Sequence, residues 1–278
     1  MKDLVRVMTG CAESLTDNLG RAAATLARRH SGKPLNRVAT RAQDEDARGA
    51  VFVGRSRFGF RKTFTSVDVL SVPLKDASGN LVGVAFPSKR RDVEDVTAWA
   101  RADYPLGNRR FSIGKPVSGT DSETGRPFMH FDTKRAPWDE EEGGRAPAIF
   151  FAHFFGGKAQ VMVKGKRLSI DPGTFGEILA ENKDFVRRVN ENRGGSSVAL
   201  LCRLGSGAEE VAEALWRSGL DTKVHAFKPN VGLRLHHLEG GKTVAETVAA
   251  PTNRAERKSL EDSIVSYEPP RPFGNESG

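Results

Sequence analysis

Two side chains in this 278-residue chain have the types and the setting for chemistry. His153 closes the apolar run Ala148-Ile149-Phe150-Phe151-Ala152, and Cys202 closes Val198-Ala199-Leu200-Leu201. A thiolate is a strong nucleophile and an imidazole can take its proton, so the two together would make a nucleophile and its base. Two features would lower the Cys202 thiol below its ordinary pKa of about 8.5: a His153 imidazolium beside it, and the positive end of a helix that starts a few residues later. The small residues Gly205, Ser206 and Gly207 would let a substrate backbone approach. The bland alternatives are a Cys202 that is a small buried hydrophobe and a His153 that is a hydrogen-bonded ring at a strand end.

Both runs read as strands buried on two faces. Neither alternates polar with apolar residues and both are short for a helix, which suits the middle of a parallel sheet. In open α/β sheets the ligand crevice lies outside the carboxyl ends of the strands, so a His and a Cys at two such ends can meet. Around them the pattern predicts a hairpin (Ala159 to Val163, Arg167 to Ile170), a helix from Thr174 with a break near Asn182, a helix from Ala208 to Ser218, and a strand from Val224 to Phe227. This alternation predicts an α/β fold with a doubly wound, mostly parallel central sheet flanked by helices, spanning 147–250.

Upstream, β signals at Ala50 to Val53, Val67 to Leu74, Leu81 to Phe86 and Pro127 to Phe131 accompany a helix capped by Ser88, with Val93, Val96 and Trp99 on one face. They predict an irregular α+β region over 48–146, packed on the core. Residues 1–47 read as a helix and a polar linker, and residues 251–278, charged and Pro-rich, as a disordered tail.

Hydrophobic residues make up 38% of the chain, enough for a real core. No apolar run nears the roughly 18 residues of a membrane span. Val7-Met8-Thr9-Gly10-Cys11 loosely imitates a lipoprotein cleavage box, but Asp3 and Arg6 interrupt the apolar stretch a signal peptide needs. Two cysteines, Cys11 and Cys202, supply neither a disulfide framework nor metal-ligand spacing, and Cys11 reads as inert packing on a helix. A cytoplasmic protein is expected, or one exported without a conventional signal peptide. Among His30, His130, His225, His236 and His237 no pair shows helical i, i+4 spacing, so no metal and no cofactor are expected.

The net charge of +8 permits an anionic partner, yet the basic residues are scattered, with short clusters at Lys89-Arg90-Arg91 and Arg187-Arg188. With two Tyr and three Trp, no stacking platform of interleaved aromatic and basic residues is read, and nucleic acid is not an expected partner. The acidic run Asp139-Glu140-Glu141-Glu142 reads as a solvated loop or, more sharply, as a subsite for a basic substrate residue.

The block from Pro147 to Leu235 resembles the "lonely Cys" domain of very large actinobacterial proteins, within the caspase-like (clan CD) cysteine peptidases that include the self-processing domains of bacterial toxins. The resemblance rests on Ala148 to His153, the segment Ile170 to Phe185, Val198 to Cys202 with Ser206-Gly207 behind it, and Val224-His225-Ala226. The order strand-His, roughly 50 residues, strand-Cys is that of caspases. The resemblance implies a dyad with no obligatory third residue, in which His153 is the general base and Cys202 the nucleophile that forms an acyl-enzyme. It further implies an oxyanion held by the backbone N–H groups of Phe154 and Cys202; beside the pair, Gly156, Gly157, Arg203, Ser206 and Gly207 read as candidate substrate-binding residues. The substrate would be a peptide or protein, the parent chain included, cut to release a toxin or effector. In that family a Gly usually follows the His and small residues follow the Cys, whereas this chain has Phe154-Phe155 and Arg203-Leu204. The alternative is therefore a catalytically inactive caspase-like binding module with a basic surface.

Overall fold

The computed structural model describes residues 6–7, 50–102, 104–105, 110–120, 127–138, 146–192, 195–201, 207–237, 241, 243–250 and 263–270. The predicted N-terminal helix and linker with Cys11 and His30, the acidic run 139–142, and residues 202–206 lie outside the described residues.

In chain order, β1 (Arg6–Val7), β2 (Val51–Ser56), β3 (Arg61–Thr65), β4 (Val72–Lys75) and β5 (Leu81–Phe86) precede helix α1 (Arg90–Ala100). Next come β6 (Tyr104–Pro105), β7 (Arg110–Thr120), β8 (Pro127–Arg135), β9 (Ala148–Phe155), β10 (Lys158–Val163) and β11 (Lys166–Ile170). Helices α2 (Pro172–Glu181) and α3 (Lys183–Glu191) follow, separated at Asn182, whose side chain accepts the Phe185 N–H and starts the second helix. The described chain ends with β12 (Ser197–Leu201), α4 (Gly207–Arg217), β13 (Val224–Phe227), β14 (Asn230–His237), β15 (Thr243–Ala250) and β16 (Ile264–Tyr267).

Strand β9 is the axis of the central sheet. β5 and β12 flank it in parallel, and β13 runs parallel beyond β12. From His153 onward β9 leaves β5 and pairs antiparallel with β10, and the sheet continues through β11 and β2 to the edge strand β3. β4 and β16 add antiparallel neighbours to β5 and β13. The result is a mixed α/β sheet with a parallel centre, flanked by helices, rather than the mostly parallel sheet expected. Turn length is the reason: the links 156–157, 164–165 and 57–60 are too short for a crossover, and only antiparallel neighbours can be joined by a tight turn.

One face of this sheet carries α2, α3 and α4. Phe150 meets Phe175 and Phe185 with ring centroids 6.4 and 5.6 Å apart, and Phe86 stands edge-on to Phe175 at 5.2 Å. Helices α2 and α4 approach closely at Gly176, where a Cβ would lie 2.7 Å from that of Ala214. The opposite face carries α1 and a second sheet of order β1-β14-β15-β7-β8, with β6 beside β15. Val96, Trp99 and Ala100 of α1 are buried between the two sheets, and the Trp99 indole N–H donates to the Glu246 carbonyl at 3.3 Å.

Three boundaries differ from the sequence expectation. β2 to β5, assigned to an outer α+β region, are strands of the central sheet itself, whereas β14 and β15, assigned to the core block, form the second sheet. Ile264–Tyr267, assigned to a disordered tail, pairs along the whole of β13 and packs Val265 and Tyr267 on the core. This short run of β-branched and aromatic residues suits an edge strand although its flanks are polar.

Candidate active site

Side chains alternate along β9, so Phe150, Ala152 and Phe154 join the helix-covered core while Phe151, His153 and Phe155 turn toward the face that carries α1. His153 is only 16% exposed, and the ring of Phe151 stands edge-on to it at 5.3 Å. Its Nε2 lies 3.0 Å from Oδ2 of Asp92. The geometry of this contact is off that of a straight hydrogen bond.

Asp92 sits in the first turn of α1, where the helix dipole favours a carboxylate. The same Oδ2 accepts the backbone N–H groups of Lys89 (2.8 Å) and Ser88 (3.0 Å), which satisfies donors left open at the helix start. Ser88, expected to cap the helix with its own hydroxyl, instead donates that hydroxyl to Asp92 at 3.2 Å. The carboxylate is thus fixed from the helix side and presents its charge to the ring on β9.

Burial by itself would raise the Asp92 carboxyl, but His153 and the N–H groups of Lys89 and Ser88 outweigh it and hold the group below its ordinary value of 3.8. A carboxyl lowered by folding adds stability that is present above that ordinary value and is lost as the pH falls through it toward the folded value. Urea unfolding between pH 7 and pH 3 is therefore expected to show a steeper fall in stability below about pH 4 for the wild type than for Asp92→Asn, which keeps only the share of other lowered carboxyls such as Asp68. Parallel pH profiles for the two proteins would remove the ion pair from the account.

Cys202, Arg203 and Ser206 lie outside the described residues. The last residue of β12, Leu201, pairs with Ala152, the residue before His153. Phe154 pairs with Ala159 in β10, and its side chain is 4% exposed on the helix side. Gly156 and Gly157, with φ of +58° and +73°, form the turn from β9 to β10, so the strand runs two residues beyond His153 before it bends. Gly207 does not face an open path: a Cβ there would meet Pro172 Cγ at 2.8 Å and Phe154 Cε1 at 3.4 Å, so the glycine serves the packing of α4 against α2 and β9. His225 is fully buried, with Nδ1 2.7 Å from Ser266 Oγ across the β13–β16 pair.

Among the described residues no group of His, Cys, Asp and Glu is placed to hold a metal ion, and no helix is long and apolar enough to cross a membrane. No family model matches the chain, and no curated protein matches it.

The residue that sequence reasoning missed is Asp92. An acid in the first turn after Ser88 is a visible helix-start signal. That this carboxylate would face a histidine on a strand some 60 residues later has no local signature.

Proposed function

We propose that the chain is a cysteine peptidase of caspase-like arrangement, with Cys202 as nucleophile and His153 as general base, cutting its own parent polypeptide or a toxin or effector partner. The observation that carries this reading is the pairing of His153 with the Asp92 carboxylate beside the carboxyl end of β9. It is supported by the β9–β12 register, in which Ala152, bonded to His153, stands opposite Leu201, bonded to Cys202.

The chemistry follows from the ring's two nitrogens. With Nε2–H turned to Asp92, Nδ1 is the nitrogen with a lone pair, and it takes the proton of the Cys202 thiol. The thiolate attacks the scissile carbonyl and the oxyanion is held by the N–H groups of Phe154 and Cys202. The imidazolium, stabilised by Asp92, returns its proton to the leaving amine as the acyl-enzyme forms, and water then releases the acyl group.

Iodoacetamide labelling against pH tests the pair directly. Cys202 is expected to label ahead of Cys11 and already near neutral pH, and His153→Ala to move that labelling to higher pH. Slow labelling of Cys202 that ignores His153→Ala would leave it a packed thiol.

One observation favours a second reading, a non-catalytic caspase-like module. β9 stays a strand through Phe155, where the resembling family usually has a glycine directly after its histidine. Reactive Cys202 labelling without cleavage of any peptide in a random library would select that reading.

A further inference from the structure

The antiparallel wing formed by β2, β3, β10 and β11 holds most of the chain's excess charge. Residues 50–68 and 158–171 together contain eight basic and two acidic residues, in a chain of net charge +8. Both acids are engaged within the wing, Asp68 by Lys164 and Asp171 by Lys158. Arg61, Lys62 and Arg167 are exposed and make no ion pair among the described residues.

At the tip of the β2–β3 hairpin the sequence reads Arg57-Phe58-Gly59-Phe60-Arg61-Lys62. Phe58 is 80% exposed and Phe60 67%. A turn of this kind needs only the glycine, which takes φ of +82° at Gly59. Two phenyl rings there add nothing to the core and leave a bare apolar patch on a charged surface. The turn is nevertheless well fixed: Gly59 N–H donates to the Ser56 carbonyl at 2.9 Å, Ser56 N–H to the Phe60 carbonyl at 2.9 Å, and Phe60 N–H to Ser56 Oγ at 3.2 Å. The rings are held out on a backbone that needs no further ordering, which favours binding.

Two of the cations, Arg61 and Arg55, stand side by side at the head of a polar row. Arg61 pairs in register with Arg55, Arg55 with Ser169, Ser169 with Gln160 and Gln160 with His153, so these five residues form one row on one face of the sheet. Val53 and Phe155 are exposed as well, at 37% and 56%.

We propose that the β2–β3 tip is a stacking platform for single-stranded nucleic acid, with Phe58 and Phe60 each covering a base and Arg57, Arg61, Lys62 and Arg55 meeting the phosphates. Every base offers a flat π face and every linkage a charge, which matches alternating rings and cations. An acidic peptide would match the cations but leave the rings uncovered, and a lipid surface would not use the row along the sheet. The scarcity of Tyr and Trp in the chain hides this tip, because two Phe rings suffice when they stand together. The inference is independent of the peptidase reading, since the tip is four strands from His153, roughly 19 Å at the usual strand spacing.

Fluorescence anisotropy of the full chain with labelled 12-nucleotide oligo-dT and oligo-rU between 50 and 200 mM NaCl provides the test. Phe58→Ala with Phe60→Ala is expected to weaken binding about tenfold per ring, leaving the salt slope unchanged. Arg61→Gln with Lys62→Gln is expected to reduce the slope of log K against log salt by about 1.4. These exposed residues are far from the buried core, and an unchanged thermal midpoint confirms intact variants. Oligonucleotides that bind wild type and the double Phe variant equally would show a merely basic surface and overturn the proposal. Phe-dependent binding of polyglutamate or phosphatidylserine vesicles in place of the oligonucleotides would overturn it too.

Discussion

Asp92→Asn is expected to lower Cys202-dependent cleavage by about 10²–10⁴-fold while leaving the protein folded. The asparagine keeps an oxygen that can accept the Lys89 and Ser88 N–H groups, so the start of α1 is preserved. What changes is the partner of the ring. A carboxylate can only accept, which keeps the His153 proton on Nε2; a carboxamide can present its NH2 group there, and the proton then moves to Nδ1. A ring protonated on Nδ1 cannot take the thiol proton, and no negative charge remains to stabilise the imidazolium. The expected signature is a fall in kcat with little change in KM, together with slower iodoacetamide labelling of Cys202 at neutral pH, while the thermal midpoint falls only by the stability that the lowered Asp92 carboxyl contributed. Asp92→Ala should match the kinetic loss and add a stability loss of about 1 kcal/mol from the missing cap. Cleavage by Asp92→Asn within twofold of wild type would make Asp92 a helix cap and nothing more. If His153→Ala also left labelling unchanged, the peptidase reading itself would fall.

Gly83→Val is expected to destabilise the protein by about 3 kcal/mol or more, enough to unfold a marginal domain at physiological temperature. Gly83 lies in β5 opposite Ile149 of β9, and a Cβ at that position would stand 1.8 Å from the Ile149 carbonyl oxygen and 2.6 Å from its carbon. Those are backbone atoms of the central strand, so no side-chain rotation relieves the overlap. The close approach coincides with a register shift on the other edge of β5, where Leu74 pairs with Gly83 but Lys75 pairs with Leu81. Glycine is the residue that tolerates such a bulge against a neighbouring backbone. Because β5 leads directly into α1, separating β5 from β9 also withdraws Asp92 from His153, and Cys202 labelling should slow in step with the stability loss. Gly79→Ala is the matched control. Gly79 has φ of +85° but open space around it, so only backbone strain of about 1 kcal/mol is expected. Urea unfolding curves for the three proteins decide this, and a Gly83→Val midpoint equal to wild type would refute the close-approach account.

The sequence by itself determined the elements around the site. Continuous apolar runs without alternation marked β9 and β12 as buried parallel strands, because a strand covered on both faces has no wet side to encode. Asn182 marked the break between α2 and α3, and Gly165 marked the β10–β11 turn, because capping and positive φ are local requirements. What only the tertiary structure decided was which of these elements meet. The switch of β9 from β5 to β10 at His153, the second sheet over α1 and the pairing of β16 with β13 are long-range choices between edges that look alike in sequence. Asp92 belongs with them. Its place in the first turn of a helix was locally legible, whereas its placement 3.0 Å from His153 depends on how α1 packs between two sheets. The Phe58–Phe60 tip follows the same logic, since a count of aromatic residues along the chain is silent about which ones a fold leaves uncovered.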